Sequence, residues 1–94
     1  MKTNELMDRV ENIFLRLDFS PVFVGEKQLR YFRYKDCYCR VTSLEEWNAI
    51  VIESADNVID AGNQLLEDGE LYYLDAPEES LLSQIEDDIK KYYM

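Results

Sequence analysis

One change of hydrophobic period does most to limit what this chain can fold into. Leu6, Val10, Ile13, Phe14 and Leu17 recur at steps of three and four, with Met7 at the edge of the stripe. That spacing lines one face of a helix and predicts helix from about Asn4 to Leu17. Glu5 and Arg9 support its outer side at a four-residue spacing, and Leu15 points away from the stripe, either as a tolerated surface residue or as part of an interface. From Phe19 to Ser54 the period is lost, and aromatic and β-branched residues gather in short runs that read as strands.

Four strands are expected, at Val22–Val24, Leu29–Tyr34, Cys37–Thr42 and Trp47–Glu53. The links between them are short enough for antiparallel hairpins, whereas parallel neighbours need crossovers of about a dozen residues. The expectation is a four-stranded antiparallel meander. In the third strand Cys37, Cys39 and Val41 share one face, expected to be the core face, and Tyr38, Arg40 and Thr42 share the other. The fourth strand is apolar on both faces through Ala49, Ile50, Val51 and Ile52, which places it centrally or under a helix.

A second helix is expected after Ser54 or Asp56 as cap, with Val58, Ile59, Gly62 and Leu65 on one face and its end near Leu66. Gly62 inside it implies close packing against a neighbouring element. Glu67-Asp68-Gly69-Glu70 reads as a turn and Leu71–Leu74 as a short extended piece, while Asp75-Ala76-Pro77 opens a last helix. Leu82, Ile85, Ile89 and Tyr92 line that helix, and Glu86–Lys90 and Asp87–Lys91 pair on its outside. The fold class is therefore α+β: an N-terminal helix, the meander, and two C-terminal helices covering one sheet face. With no repeat or linker in its 94 residues, residues 1–94 read as a single acidic domain.

Hydrophobic residues make up 47 % of the chain and aromatic residues 13 %, more than a disordered acidic chain carries, so a folded core is expected. Residues 1–7 lack the apolar stretch of a secretory signal, and no apolar run reaches the roughly 20 residues of a membrane span. A cytoplasmic protein is expected. Its two cysteines, Cys37 and Cys39, suit a reducing compartment; neighbours on one strand face are poorly placed to bridge each other, and they read as structural thiols.

Charge is distributed unevenly. Residues 1–55 hold nine acids and eight bases, a net of -1, whereas residues 56–94 hold eleven acids and only Lys90 and Lys91, a net of -9. The total of -10 repels nucleic acid and anionic membranes and favours a basic protein partner. Acids at helix starts, such as Glu78 and Glu79, also serve the helix dipole, and acidic solvated faces are common. Glu67, Asp68 and Glu70 fit that account less well, because they stand beside Tyr72 and Tyr73. These five residues are the candidate partner-binding site, with tyrosines supplying contact area and carboxylates steering; Tyr92 and Tyr93 extend it.

Nothing in the sequence assembles a recognisable catalytic group. With no histidine, every dyad or triad built on an imidazole base is missing. Cys37 and Cys39 offer two metal ligands where structural zinc takes four, and the acids lack the ordered oxygen pattern of a calcium loop. Three dispersed glycines make no phosphate loop, so no metal or cofactor is expected; Gly25 and Gly69 read as turn formers. Lys27, Arg30, Arg33, Lys35 and Arg40, interleaved with Tyr31, Phe32, Tyr34 and Tyr38, resemble a single-strand-binding surface. At this net charge they are expected to pair with the acidic helices instead. An enzyme of unfamiliar type requires a pocket joining Arg30 and Arg40 to carboxylates.

The segment Trp47-Asn48-Ala49-Ile50-Val51-Ile52-Glu53-Ser54-Ala55-Asp56-Asn57, followed by a helix and by Glu67-Asp68-Gly69-Glu70-Leu71-Tyr72-Tyr73-Leu74, resembles the small cytoplasmic immunity proteins of bacterial polymorphic toxin systems. The resemblance covers about half the chain and contains no catalytic motif. It implies an α+β protein that binds a toxin domain, a basic nuclease being the best match to the charge, and blocks it. A DNA mimic or other acidic regulator that occupies a nucleic-acid-binding protein suits the same acid-rich half.

Overall fold

A strand that is apolar on both faces needs neighbours on both sides, and the computed structural model, which describes residues 2–94, supplies them. The elements are α1 (Thr3–Arg16), β1 (Ser20–Val24), β2 (Leu29–Tyr34), β3 (Cys37–Leu44), a 3-10 turn (Glu45–Trp47), β4 (Ala49–Ala55), α2 (Val58–Gly62), β5 (Glu67–Tyr73) and α3 (Glu78–Tyr92). Met1 lies outside the described residues. All neighbouring strands are antiparallel and lie in chain order from β1 to β5, so β4 sits between β3 and β5.

The α+β class holds, but the sheet has five strands where four were expected. The fifth joins the segment read as a turn, Glu67-Asp68-Gly69-Glu70, to most of the short extended piece expected at Leu71–Leu74. Glu67 pairs with Ser54 and Asp68 with Glu53, and after an irregularity opposite Ile52 the ladder resumes with Leu71 against Val51. Between those pairs β5 spends one residue more than β4, which is a β-bulge. Gly69 lies in that bulge. A Cβ there would come within 3.0 Å of the Ile52 carbonyl oxygen and run into the Tyr93 hydroxyl, so the position needs glycine for space rather than for a turn.

Helices cover both sheet faces, not one. α1 and α3 lie on the same face, where Leu6, Val10, Ile13 and Phe14 meet Phe32, Cys39, Val41, Ile50, Ile52 and Tyr72, closed by Leu81, Ile85 and Ile89. Phe14 stacks on Phe32 at 5.3 Å between centroids and meets Phe19 edge-on at 4.9 Å. Ion pairs Arg9–Glu78 and Arg16–Glu86 tie the two helices together. Arg9 thus bridges to α3 rather than to Glu5. The buried stripe of α3 runs through Leu81; Leu82 is half-buried and Tyr92 is exposed, a rotation from the expected face. Lys90 donates to Glu86 at 3.3 Å as expected, and Lys91 lies over the Tyr92 ring.

The opposite face carries α2, which is shorter than expected. Asn57 caps it, its side chain accepting from the Asp60 amide at 2.8 Å, in place of Ser54 or Asp56. The helix ends at Gly62, and Gln64 takes a left-handed conformation, which leaves Leu65 exposed. Only Ala61 of this helix is buried, in a small cluster with Val24, Tyr31, Tyr38 and Ala55. Tyr31 donates its hydroxyl to the Ala61 carbonyl at 2.7 Å. Gly25 and Gly62 meet backbone to backbone: a Cβ on Gly25 would lie 3.3 Å from the Gly62 Cα. The close packing expected at Gly62 is therefore against the β1–β2 turn.

The basic residues of β2 and β3 find partners mainly within the sheet and α1. Arg30 bonds Glu11 of α1 at 3.1 Å and covers Phe32; Arg40 bonds Glu53 at 3.1 Å, where Thr42 also donates. Arg33 donates to the Lys35 carbonyl at 2.7 Å. The expected partners, the acidic C-terminal helices, are not the ones used here. Arg30 and Arg40 lie on opposite faces, so no single pocket joins them. Among the described residues, no helix is long and apolar enough to cross a membrane.

Candidate functional site

β5 is an edge strand, and the bulge at Gly69 tucks it against the C-terminal end of α3. Between them opens a cleft of about 430 Å³ lined by Cys37, Ser54, Asp56, Glu67, Asp68, Gly69, Glu70, Tyr72, Tyr92 and Tyr93. Four carboxylates and three tyrosines contribute to the wall, and neither lysine nor arginine does. A larger cleft of about 630 Å³ lies on the other face between α2 and the β1–β2 turn. Its wall has one acid and one base, Glu26 and Lys27, so it lacks any concentration of charge.

Of the five residues expected to form the site, four come together here and one does not. Glu67, Asp68, Glu70 and Tyr72 all line the cleft. Tyr73 follows Tyr72 on the strand and therefore points to the opposite face, where it is exposed beside the half-exposed Leu71. Tyr72 is 3 % exposed and belongs to the core, so of the two adjacent tyrosines only Tyr73 faces outward. Tyr92 and Tyr93, expected to extend the site, do line the cleft. Asp56 and Cys37 were not foreseen, because they arrive through strand register and not through sequence proximity. Cys39 pairs with Ser54 across β3 and β4, and Ser54 pairs with Glu67 across β4 and β5, so the ends of three strands converge on this corner.

Electrostatics within the cleft is one-sided. The Tyr72 hydroxyl donates to Asp88 Oδ2 at 2.7 Å, and burial, followed by that bond, raises its pKa well above the ordinary tyrosine value. Burial, reinforced by Cys39, Cys37, Asp88 and Glu70, pushes Tyr93 up to about 12. Both phenols stay protonated at neutral pH, so they are neutral rings with polar tips among carboxylates. Gln84 reaches Glu70 at 3.5 Å from α3, and Asp68 stands at the rim opposite Glu53.

Such a wall suits a cation. A guanidinium or ammonium entering it would meet carboxylates able to form charge-assisted hydrogen bonds and aromatic faces able to give cation–π contact. The carboxylates surround a space and do not converge on a point: among the described residues, no group of three or more metal-ligating side chains is placed to hold an ion. No family model, no curated protein and no solved structure matches this chain.

Proposed function

We propose that this chain is an immunity protein that binds a cognate bacterial toxin domain and neutralises it by protein–protein contact in the cytoplasm. The observation that carries the reading is the cleft between β5 and α3, with four carboxylates, three tyrosines and no basic residue in its wall. A toxin that grips a polyanionic substrate displays arginines and lysines around its active site. Seating one of those side chains in the cleft would draw the acidic C-terminal half, with its net charge of -9, over the substrate path. Steering by that charge speeds encounter, and the tyrosines hold the docked state through packing.

The test is protection. The chain is expressed beside the product of the gene adjacent to its own, and survival is scored with wild type and with an Asp56→Asn, Glu67→Gln, Glu70→Gln triple variant. The wild type is expected to restore growth, and the triple variant, folded but less charged, to require higher expression for the same survival. Growth arrest despite abundant folded wild type would refute the proposal.

A further inference from the structure

β3 begins with a thiol pair that the acidic cleft does not require for binding a cation. Cys37 and Cys39 share the helix-facing side of β3, and their Sγ atoms stand 3.6 Å apart. Two residues along a strand separate Cα atoms by about 6.4–6.8 Å, the long end of what a disulfide spans. The side chains here nevertheless turn toward each other, and a bond requires the sulfurs to close by only about 1.5 Å. Both thiols are free, as the strand spacing leads one to expect, and they stand in contact.

The two thiols differ in access. Cys39 is fully buried beneath α1 and α3, whereas Cys37 is half-buried and lines both the acidic cleft and the adjoining depression beside Tyr34 and Met94. A small solute reaches Cys37 first and meets Cys39 only through it. We infer that Cys37 and Cys39 form an oxidation site, in which hydrogen peroxide oxidises Cys37 and Cys39 resolves the product to a disulfide within the strand. The contact with Cys39 lowers the pKa of Cys37 against the opposing effects of burial and Asp56, while that same contact and burial raise the pKa of Cys39. The difference in access divides the entry and resolving roles between them.

The chemistry balances in two steps. The Cys37 thiolate attacks one peroxide oxygen; an S–O bond forms, the O–O bond breaks, and hydroxide leaves and takes up a proton as water. The Cys39 sulfur then attacks the Cys37 sulfenic sulfur, forming the S–S bond and breaking the S–O bond, and the departing hydroxide carries off the Cys39 proton as a second water. Two thiols lose two electrons in total and one peroxide is reduced to two waters. Because the strand must pucker to close the ring, the bond is of the strained kind that reductants reopen easily.

The full chain treated with hydrogen peroxide is analysed by mass spectrometry with dimedone present or absent. Wild type is expected to lose two hydrogen masses, located in the tryptic peptide of residues 36–40, and to regain them with dithiothreitol. Cys39→Ala should stop at the sulfenic acid and take dimedone on Cys37, whereas Cys37→Ala should leave Cys39 unlabelled while folded. Where an alanine variant fails to fold, the wild-type peptide still decides. No mass change, addition of oxygen without loss of hydrogen, or a disulfide between two chains would each overturn the inference.

Discussion

The two faces of the sheet are built differently, although the same five strands supply both. The α1–α3 face closes over a continuous core of aromatic and aliphatic side chains, and two long helices are linked across it by Arg9–Glu78 and Arg16–Glu86. The other face has one short helix, a cluster of five buried residues, and exposed apolar side chains at Val58, Ile59, Leu65 and Tyr73. The first face supplies most of the burial that holds the fold, and the acidic cleft opens at its corner rather than on the thinly covered side. A site whose walls are set by core residues such as Tyr72 is held rigid by the packing behind it.

The strongest way to break this comparison is to damage each face in turn. Phe14 is fully buried and contacts the Phe19 and Phe32 rings, so Phe14→Ala should cost about 3–5 kcal/mol in denaturant unfolding. On the other face Tyr31→Phe keeps the ring but removes the hydroxyl's bond to the Ala61 carbonyl, which still accepts from the Gln64 amide at 3.2 Å, and about 0.5–1.5 kcal/mol is expected. Amide exchange in α2 should rise in Tyr31→Phe well before that in α1 or α3, because α2 opens locally. Equal costs for the two substitutions would mean that the faces share the load.

How far the sequence shows this division can be seen residue by residue. The stripe Leu6, Val10, Ile13 and Phe14 and the β3 alternation of Cys39 and Val41 are local periodic signals, and they mark the main core face directly. β5 was hidden because Glu67-Asp68-Gly69-Glu70 has the composition of a turn, and its strand character comes from pairing with β4. Val58, Ile59 and Leu65 have helical spacing, yet the Asn57 cap and the stop at Gly62 leave too few turns to bury them. In α3 the stripes through Leu81 and through Leu82 both include Ile85 and Ile89, and only packing against α1 chooses between them. Half the cleft, Glu67 to Tyr72, is contiguous in sequence and legible there. Cys37 and Asp56 are not, since β3–β4–β5 register brings them in.

A smaller effect sharpens the comparison at the cleft. Tyr93 has a pKa of about 12 in the fold against 10.0 ordinarily, so the folded state holds its proton more tightly than the unfolded chain. That contribution is complete below pH 10 and shrinks as pH rises toward 12. Tyr72 is raised in the same direction and adds to the same alkaline limb. Unfolding midpoints measured across this range should fall with pH in wild type and fall less steeply in Tyr93→Phe. An unchanged slope in that variant would remove Tyr93 from the buried wall of the cleft.

The central claim is that a basic partner docks at the β5–α3 cleft, and two tyrosines on opposite faces test it most directly. Tyr92 lines the cleft and Tyr73 does not, yet both are exposed, at 55 % and 46 %, and neither belongs to the core. Dissociation of the proposed basic partner from wild type, Tyr92→Ala and Tyr73→Ala is followed at two ionic strengths. The account predicts a faster off-rate for Tyr92→Ala, worth about 2 kcal/mol or more, with Tyr73→Ala close to wild type. A Tyr73→Ala complex that falls apart while Tyr92→Ala holds would contradict it and move the docking surface to the other face of the sheet.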